Sequence, residues 1–452
     1  MPAKPNIIYI HSHDTGRYVQ PYGFAVDTPN IQRLAETGVS FRQAFCANPT
    51  CSASRASLLT GSWPHTNGMI GLVNRGCEMP ADHYRWHLAN YLAGHGYETV
   101  ISGFQHEVSH ELRHLLGYRN VIDMTPVAGM DNNDMIAMRA VEYLRSRSTR
   151  PFLLTVGFGL THRTGTGIQW HNGSQPLGDG RYVRPPLPLP DTPATRQDFA
   201  DFAVAASRLD TCMGRVFAAL DQAGLANDTL VICTTDHGIA FPHMKCNLTD
   251  HGTGVMLIMR GPGGFAGGKV VDAMVSHVDV FPTICELAGL PLPGWLQGVS
   301  FLPLVDGTAL CVRDELFAEV NYHACYEPMR AVRTTRHKYI RRFEGRPGPV
   351  LPNCDDSVSK NFLLEHGWAT RPQQAEYLFD LLFDPNEACN VAADAAYAAT
   401  LADMRARLNR WMQRTDDPLL RGRVEPWPGM VVNDIDGASP QEALQPAQRG
   451  SR

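Results

Sequence analysis

The chain has 452 residues, of which 44% are hydrophobic and 19% charged, and its formal net charge is −5 with 18 histidines counted neutral. That length exceeds one small core and predicts a large domain with a smaller one attached, and that composition excludes wholesale disorder. The mild acidity excludes the cationic footprint of a nucleic-acid binder or of a protein held on an anionic membrane, so an anionic substrate must be met by local positive charge, from a metal or a few side chains.

The first residues, Met1-Pro2-Ala3-Lys4-Pro5-Asn6, precede only a short apolar run over 7–10. No signal peptide is expected from them, and no apolar stretch reaches the length of a membrane span. Eleven cysteines are scattered without a CxxC pair or regular spacing. They read as reduced thiols, most of them small buried hydrophobes, and a cytoplasmic protein is expected.

The spacing predicts a strand over 6–10. A helix follows from Thr28, with Thr28 as cap, Pro29 in the first turn and Gly38 as stop. Further strands are predicted over 99–102, 152–156, 230–234 and 255–258, short runs rich in Val, Ile, Leu, Phe and Thr. Helical periodicity covers 86–93, 135–147, 199–222 and 278–288. This alternation predicts an α/β fold with a mostly parallel sheet. The Pro-rich segment 177–195 reads as a surface excursion. The Gly/Pro-rich segment 289–307 marks a domain boundary, giving a domain over 1–310, a subdomain over 311–420 and a tail over 421–452. Strands over 316–320, 331–335, 338–342 and 377–383 suggest a small antiparallel sheet, with a helix over 396–412. The tail, rich in Pro, Gly, Gln and Ala, is expected to wrap the surface, reach a neighbour or stay partly mobile.

The informative residues follow the strands. His13 and Asp14 come after the first, His106 after the second, His162 after the third, and Asp236 with His237 after the fourth. Ligands of open α/β sheets collect beyond the carboxyl ends of the strands, so four strands deliver imidazoles and carboxylates to one edge. Any one of these histidines alone reads as a loop or core residue; their joint placement points to a divalent-metal site with Asp14, Asp236 and His237 as ligands and His13 as a fourth.

Cys51 falls where Ser and Thr residues precede a helix-compatible run closed by Gly61. A helix N-terminus there favours an anion and is expected to depress the thiol pKa. Arg55 lies one turn on, on the same face, able to brace an oxygen group at position 51 or to meet substrate oxygens. Spacing alone favours a small buried thiol and a surface arginine on an amphipathic helix.

Cys51-Ser52-Ala53-Ser54-Arg55-Ala56-Ser57-Leu58-Leu59-Thr60-Gly61 resembles the sulfatase signature, Cys-x-Pro-x-Arg followed by a Ser/Leu-rich turn and Thr-Gly. Pro5-Asn6-Ile7-Ile8-Tyr9-Ile10 with His13-Asp14 resembles that family's first strand and acidic metal pair, and Thr235-Asp236-His237-Gly238 its second metal motif. Pro151-Phe152-Leu153-Leu154 leading to His162, and Tyr377-Leu378-Phe379-Asp380 with Asp384-Pro385-Asn386-Glu387, are similar to later motifs, so the resemblance spans residues 5–390. Asn67-Gly68-Met69 and Gly238-Ile239-Ala240-Phe241-Pro242 are most similar to the heparan N-sulfatase branch.

The resemblance implies an alkaline-phosphatase-like fold, with a large mixed, mostly parallel sheet flanked by helices, its catalytic domain over 1–310, and a smaller C-terminal α+β subdomain. It implies hydrolysis of a small anionic sulfated substrate through formylglycine, made from Cys51 by a formylglycine-generating maturation enzyme. It further implies one divalent ion, Ca²⁺ in the family, held by His13, Asp14, Asp236, His237 and position 51. Arg55 and Lys245 would stabilise charge on the substrate oxygens, His162 would serve the leaving group, and His106 would help expel sulfate by taking a proton from the hydrated aldehyde. Specificity loops are expected over 62–83, 161–195 and 322–330, and a homo-oligomer is compatible.

Three positions depart from the family pattern. Ala53 replaces the signature proline. His13 stands where the first acidic ligand usually stands, which turns the expectation toward Mn²⁺ or Zn²⁺. Phe104 in Gly103-Phe104-Gln105-His106 replaces the sulfate-binding lysine, leaving Lys245 as the remaining cation. These departures keep open a phosphonate monoester or phosphodiester hydrolase acting on a phosphorylated substrate, and a degenerate homologue that binds without turnover.

Overall fold

Ile7, Ile8, Tyr9 and Ile10 are all buried, and they alternate between two separate cores. Burial on both faces is why this first strand is a continuous apolar run rather than an alternating one. Each of the isoleucines contributes about 2 kcal/mol of transfer free energy. The computed structural model describes residues 4–146, 149–163, 170 and 178–450.

The strands of the main sheet are β1 (Asn6–Ser12), β2 (Val39–Phe45), β3 (Glu98–Gly103), β4 (Asn120–Val121), β5 (Phe152–Gly157), β6 (Thr229–Thr235), β7 (Leu257–Arg260) and β8 (Lys269–Ser276). Their spatial order is β4-β3-β5-β1-β6-β7-β2-β8, and β7 alone runs against its neighbours. One core packs helix α1 (Pro29–Thr37) and the helices Asn132–Ser146 and Pro193–Gln222 on the sheet; the other packs helix α2 (Cys51–Thr60) with Leu88–Gly94 and Val280–Leu287. The expected mixed, mostly parallel sheet flanked by helices is present.

Several local expectations change. β2 and β8 were not anticipated, because Arg42 interrupts the first and the second is an edge strand carrying exposed Lys269, Val270 and Asp272. The strand expected over 255–258 begins at Leu257, since the Val255 and Met256 N–H groups bond to Ala44 O and Gly16 O instead. Thr28 does not cap α1 with its side chain. The carboxylate of Asp210, from the long helix Pro193–Gln222, accepts from the Asn30 and Ile31 N–H groups at 3.1 and 2.8 Å. The long helix itself starts earlier than expected, at a capping box of Thr192 and Thr195 with Pro193 in the first turn. The Pro-rich excursion therefore ends at Thr192, and Leu177 and Arg147 lie outside the described residues.

The second sheet is antiparallel, from β9 (Leu316–Tyr322), β10 (Tyr326–Arg333), β11 (His337–Arg342) and β12 (Glu376–Asp380). β10 starts before its expected position because the register shifts between Tyr326 and Met329, around Pro328, a residue sheets tolerate at bulges. The helix Ala398–Arg414 covers this sheet. Its Trp411 stacks on Phe317 at 4.8 Å and meets Trp63 edge-on at 5.4 Å, so one apolar cluster joins both sheets. The tail wraps the surface: Val424 and Met430 are buried, and Trp427 donates its Nε1–H to Gly68 O at 2.9 Å.

Candidate active site

Because β3, β5, β1 and β6 are adjacent and parallel, their carboxyl ends bring His106, His162, His13–Asp14 and Asp236–His237 to one edge. The His13 ring lies 4.4 Å from His162, 6.3 Å from His106 and 6.4 Å from His237, centroid to centroid. Thr161 fastens two of these ends together, donating its N–H to His13 O at 2.6 Å while its hydroxyl reaches Asp14 O at 3.2 Å. Asp14 has a φ of 55°, a conformation costly for a residue other than glycine, and its N–H donates to Asp236 Oδ1 at 2.8 Å.

Helix α2 points its N-terminus into this cluster, and all ten of its residues are buried. Cys51 Sγ lies 3.4 Å from His237 Nε2. His237 donates Nδ1–H to Gly238 O at 2.9 Å, which leaves its Nε2 lone pair facing Cys51, Asp14 Oδ1 at 3.2 Å and Asp236 Oδ2 at 3.6 Å. The expected depression of the Cys51 pKa does not occur. Burial pushes the thiol well above its ordinary value, with Lys245 opposing and Asp14 reinforcing the shift. Desolvation outweighs the helix end, and the unmodified side chain is a protonated, poor nucleophile.

Arg55 is committed inward. Its guanidinium donates to Asp236 Oδ2 at 2.9 Å and Ser12 O at 3.0 Å and lies 2.6 Å from His11 Nδ1. Asp236, despite burial, is held well below the usual carboxylate range by His237 and Arg55. Lys245 Nζ bridges Asp14 Oδ2 at 3.0 Å and Asp355 Oδ2 at 2.9 Å. His106 is pushed well below its ordinary pKa by burial, so it is neutral. His162 donates Nδ1–H to Arg163 O at 2.5 Å and keeps its Nε2 on the open side, 3.9 Å from Asp14 Oδ2.

The donor set fits a divalent cation. His13, Asp14, Cys51 and Asp236 offer ligand atoms that all lie within 4.8 Å of one another, and His237 Nε2 faces the same carboxylates. Two buried carboxylates together with two imidazole nitrogens suit Mn²⁺ or Zn²⁺ better than the all-oxygen shell preferred by Ca²⁺.

A cleft of about 380 Å³ opens onto His13, Phe104, His106 and His162. The Phe104 ring lies 5.2 Å from the Arg55 guanidinium carbon, an apolar wall in place of a lysine. Asn74, from the loop over 62–83, lines the cleft, as do Asp131–Asn133 and Arg208, which sequence reading did not anticipate. Among the described residues the segment 322–330 contributes none of its lining. All nine sequence-expected site residues converge. His11, Asp355 and His323 were missed: His11 faces inward along β1, while Asp355 and His323 come from the C-terminal subdomain, with no motif of their own.

Residues 5–290 match the family model described as Sulfatase, and residues 243–347 match that described as N-sulphoglucosamine sulphohydrolase, C-terminal. The chain belongs to the sulfatase family. It is 30% identical to N-sulphoglucosamine sulphohydrolase of Homo sapiens over 92% of this chain and 91% of that protein. It is 25% identical to an ulvan-active sulfatase of Formosa agariphila over 92% of this chain and 76% of the relative. These matches group this sulfatase with the heparan N-sulfatase branch and identify it as a sulfuric ester hydrolase. Its fold is shared with a solved 2-O GAG sulfatase, at a TM-score of 0.71 and 22% identity, covering 97% of this chain and 99% of the other. The phosphonate monoester hydrolase of Agrobacterium radiobacter superposes with a TM-score of 0.67 at 21% identity, covering 91% and 96%.

Proposed function

We propose that this protein is a metal-dependent sulfatase that hydrolyses a sulfate ester or sulfamate of a small anionic substrate, through a formylglycine made from Cys51 by a maturation enzyme. The observation that carries this reading is the position of Cys51 at the start of α2, 3.4 Å from His237 Nε2 and grouped with His13, Asp14 and Asp236. A divalent ion, held by Asp14, Asp236, His237 and His13, supplies positive charge beside position 51 when bound, and the modified residue supplies an oxygen nucleophile that the protonated thiol cannot.

The side chains divide the remaining work. Lys245, anchored on Asp14 and Asp355, offers its ammonium to oxygens of the group being transferred. Arg55 acts as a positioning residue, because both of its terminal nitrogens are held by Asp236, Ser12 and His11. His162, half-exposed at the cleft, is placed to give a proton to the leaving oxygen or nitrogen. His106, grouped with Cys51 and His13, is the imidazole placed to take a proton from position 51 as sulfate departs. Phe104 and the surrounding imidazoles dry this end of the cleft, which strengthens each charge interaction there.

Peptide mass analysis across Cys51, with metal identification on the same sample, tests the first half of this reading. An intact thiol in fully folded, metal-loaded, active protein would exclude it. Phe104 favours a second reading, a phosphonate monoester hydrolase, since the lysine that the family uses for sulfate is gone. Parallel assays with aryl sulfate and aryl phosphonate separate the two. Turnover of neither by aldehyde-bearing protein would leave a ligand-binding homologue.

A further inference from the structure

A second cavity, of about 420 Å³, shares no lining residue with the catalytic cleft. Arg17 forms part of its wall. The Arg17 guanidinium is fixed in place: Nη2 donates to Ala44 O at 3.0 Å, the group covers the Phe45 ring at 4.5 Å, and it lies across Gly254, where an added Cβ would come within 2.7 Å of its Cζ. Arg333 covers the same Phe45 ring at 4.6 Å.

The charges at this wall, which include the cavity-lining Asp250, do not cancel. Arg333 and Lys338 are bound to Asp250 at 3.0 and 2.5 Å, and Lys338 also to Glu387 at 3.1 Å. With Arg17, three cations stand against two carboxylates, an excess of one positive charge. Among the described residues neither Arg17 nor Arg184, at the exposed rim, has a carboxylate at ion-pair distance. A largely buried guanidinium left in this state is costly, and an anion entering the cavity offsets that cost.

The cavity is also lined by aromatic rings. Tyr18 packs on Phe24 at 4.5 Å and on Phe199 at 6.0 Å, and its hydroxyl lies 3.2 Å from His251 Nδ1. A cavity lined by a cation and by aromatic rings selects a flat organic anion over an inorganic one.

We propose that this cavity binds a small aromatic carboxylate, with the carboxylate on Arg17 and the ring against Tyr18, Phe24 and Phe199. Calorimetric titration of the full chain with benzoate, with acetate as comparator, tests this. One benzoate per chain is expected to bind, at least about tenfold more tightly than acetate, which lacks the ring. Arg17→Met should weaken benzoate about tenfold or more. Arg184→Glu changes an exposed rim residue and so leaves folding intact; it should weaken benzoate too. Crystals soaked in 4-bromobenzoate should place the bromine among Tyr18, Phe24 and Phe199. Absence of benzoate binding, equal affinity for acetate, indifference to both substitutions, or bromine found only in the catalytic cleft would each overturn the proposal.

Discussion

The Arg55 guanidinium lies 2.9 Å from Asp236 Oδ2, and neither side chain is exposed. The spacing of Cys51 and Arg55 suggests an arginine aimed at substrate, whereas the fold spends it on a carboxylate from β6. Arg55→Met should therefore act on the folded protein first. It takes the guanidinium from buried Asp236, leaving only imidazoles and backbone N–H groups around it, and about 3 kcal/mol of stability should be lost, read as a lower urea midpoint. Arg55→Lys keeps the charge but loses the fork to His11 and Ser12, and about 1–3 kcal/mol is expected. Wild-type stability in Arg55→Met would show that the pair contributes nothing.

Lys245 is the ammonium nearest the reacting position. Lys245→Met is expected to lower kcat by about 10²–10³-fold while bound metal, measured by elemental analysis, is retained. Lys245→Arg should recover part of the loss. If kcat holds and only metal content falls, the lysine serves Asp14 rather than the substrate.

His13 places an imidazole nitrogen 2.8 Å from Asp14 Oδ1. His13→Asp restores an oxygen donor, and the preference in metal reconstitution should move from Mn²⁺ or Zn²⁺ toward Ca²⁺. Chelation should abolish turnover in both proteins, with each recovering best on its own preferred ion. An unchanged metal ranking would remove His13 from the ligand set.

His87 gives the fold an acid limit away from the cleft. It is fully buried at the start of the helix Leu88–Gly94, where its Nδ1 accepts from Ala89 N–H at 3.1 Å. Burial lowers its pKa from 6.5 to about 3. Between these values the unfolded chain binds a proton that the folded chain refuses, so this contribution is complete above pH 6.5 and is lost as pH falls toward 3. The shift corresponds to about 5 kcal/mol at most. His87→Asn keeps a capping acceptor and does not titrate, so its urea midpoint should fall less between neutral pH and about pH 4. Parallel midpoint-against-pH curves for the two proteins would exclude His87 as the source.

Much of the catalytic edge was legible because each piece is local. A buried parallel strand is a short apolar run, and the polar residue just past its end reaches the sheet edge, as His13, His106, His162 and Asp236 do. Elements whose identity depends on distant partners were not legible. β8 reads as a polar segment until β2 pairs with it, and α1 is capped by Asp210 rather than by its own Thr28. Asp355 reaches Lys245 from more than a hundred residues along the chain, and no short pattern announces it.

By itself the sequence determined the kind of sheet, the strand ends that carry imidazole and carboxylate, and the single helical turn between Cys51 and Arg55, because periods of 2 and 3.6 residues are properties of adjacent residues. Tertiary structure alone decided where the charges are spent: Arg55 on Asp236, Lys245 between Asp14 and Asp355, a Cys51 thiol raised rather than lowered, and Arg17 with no carboxylate at ion-pair distance among the described residues. Desolvation and Coulomb interaction sum over every neighbour in space, whatever its place in the chain, and that sum exists only once the chain has folded.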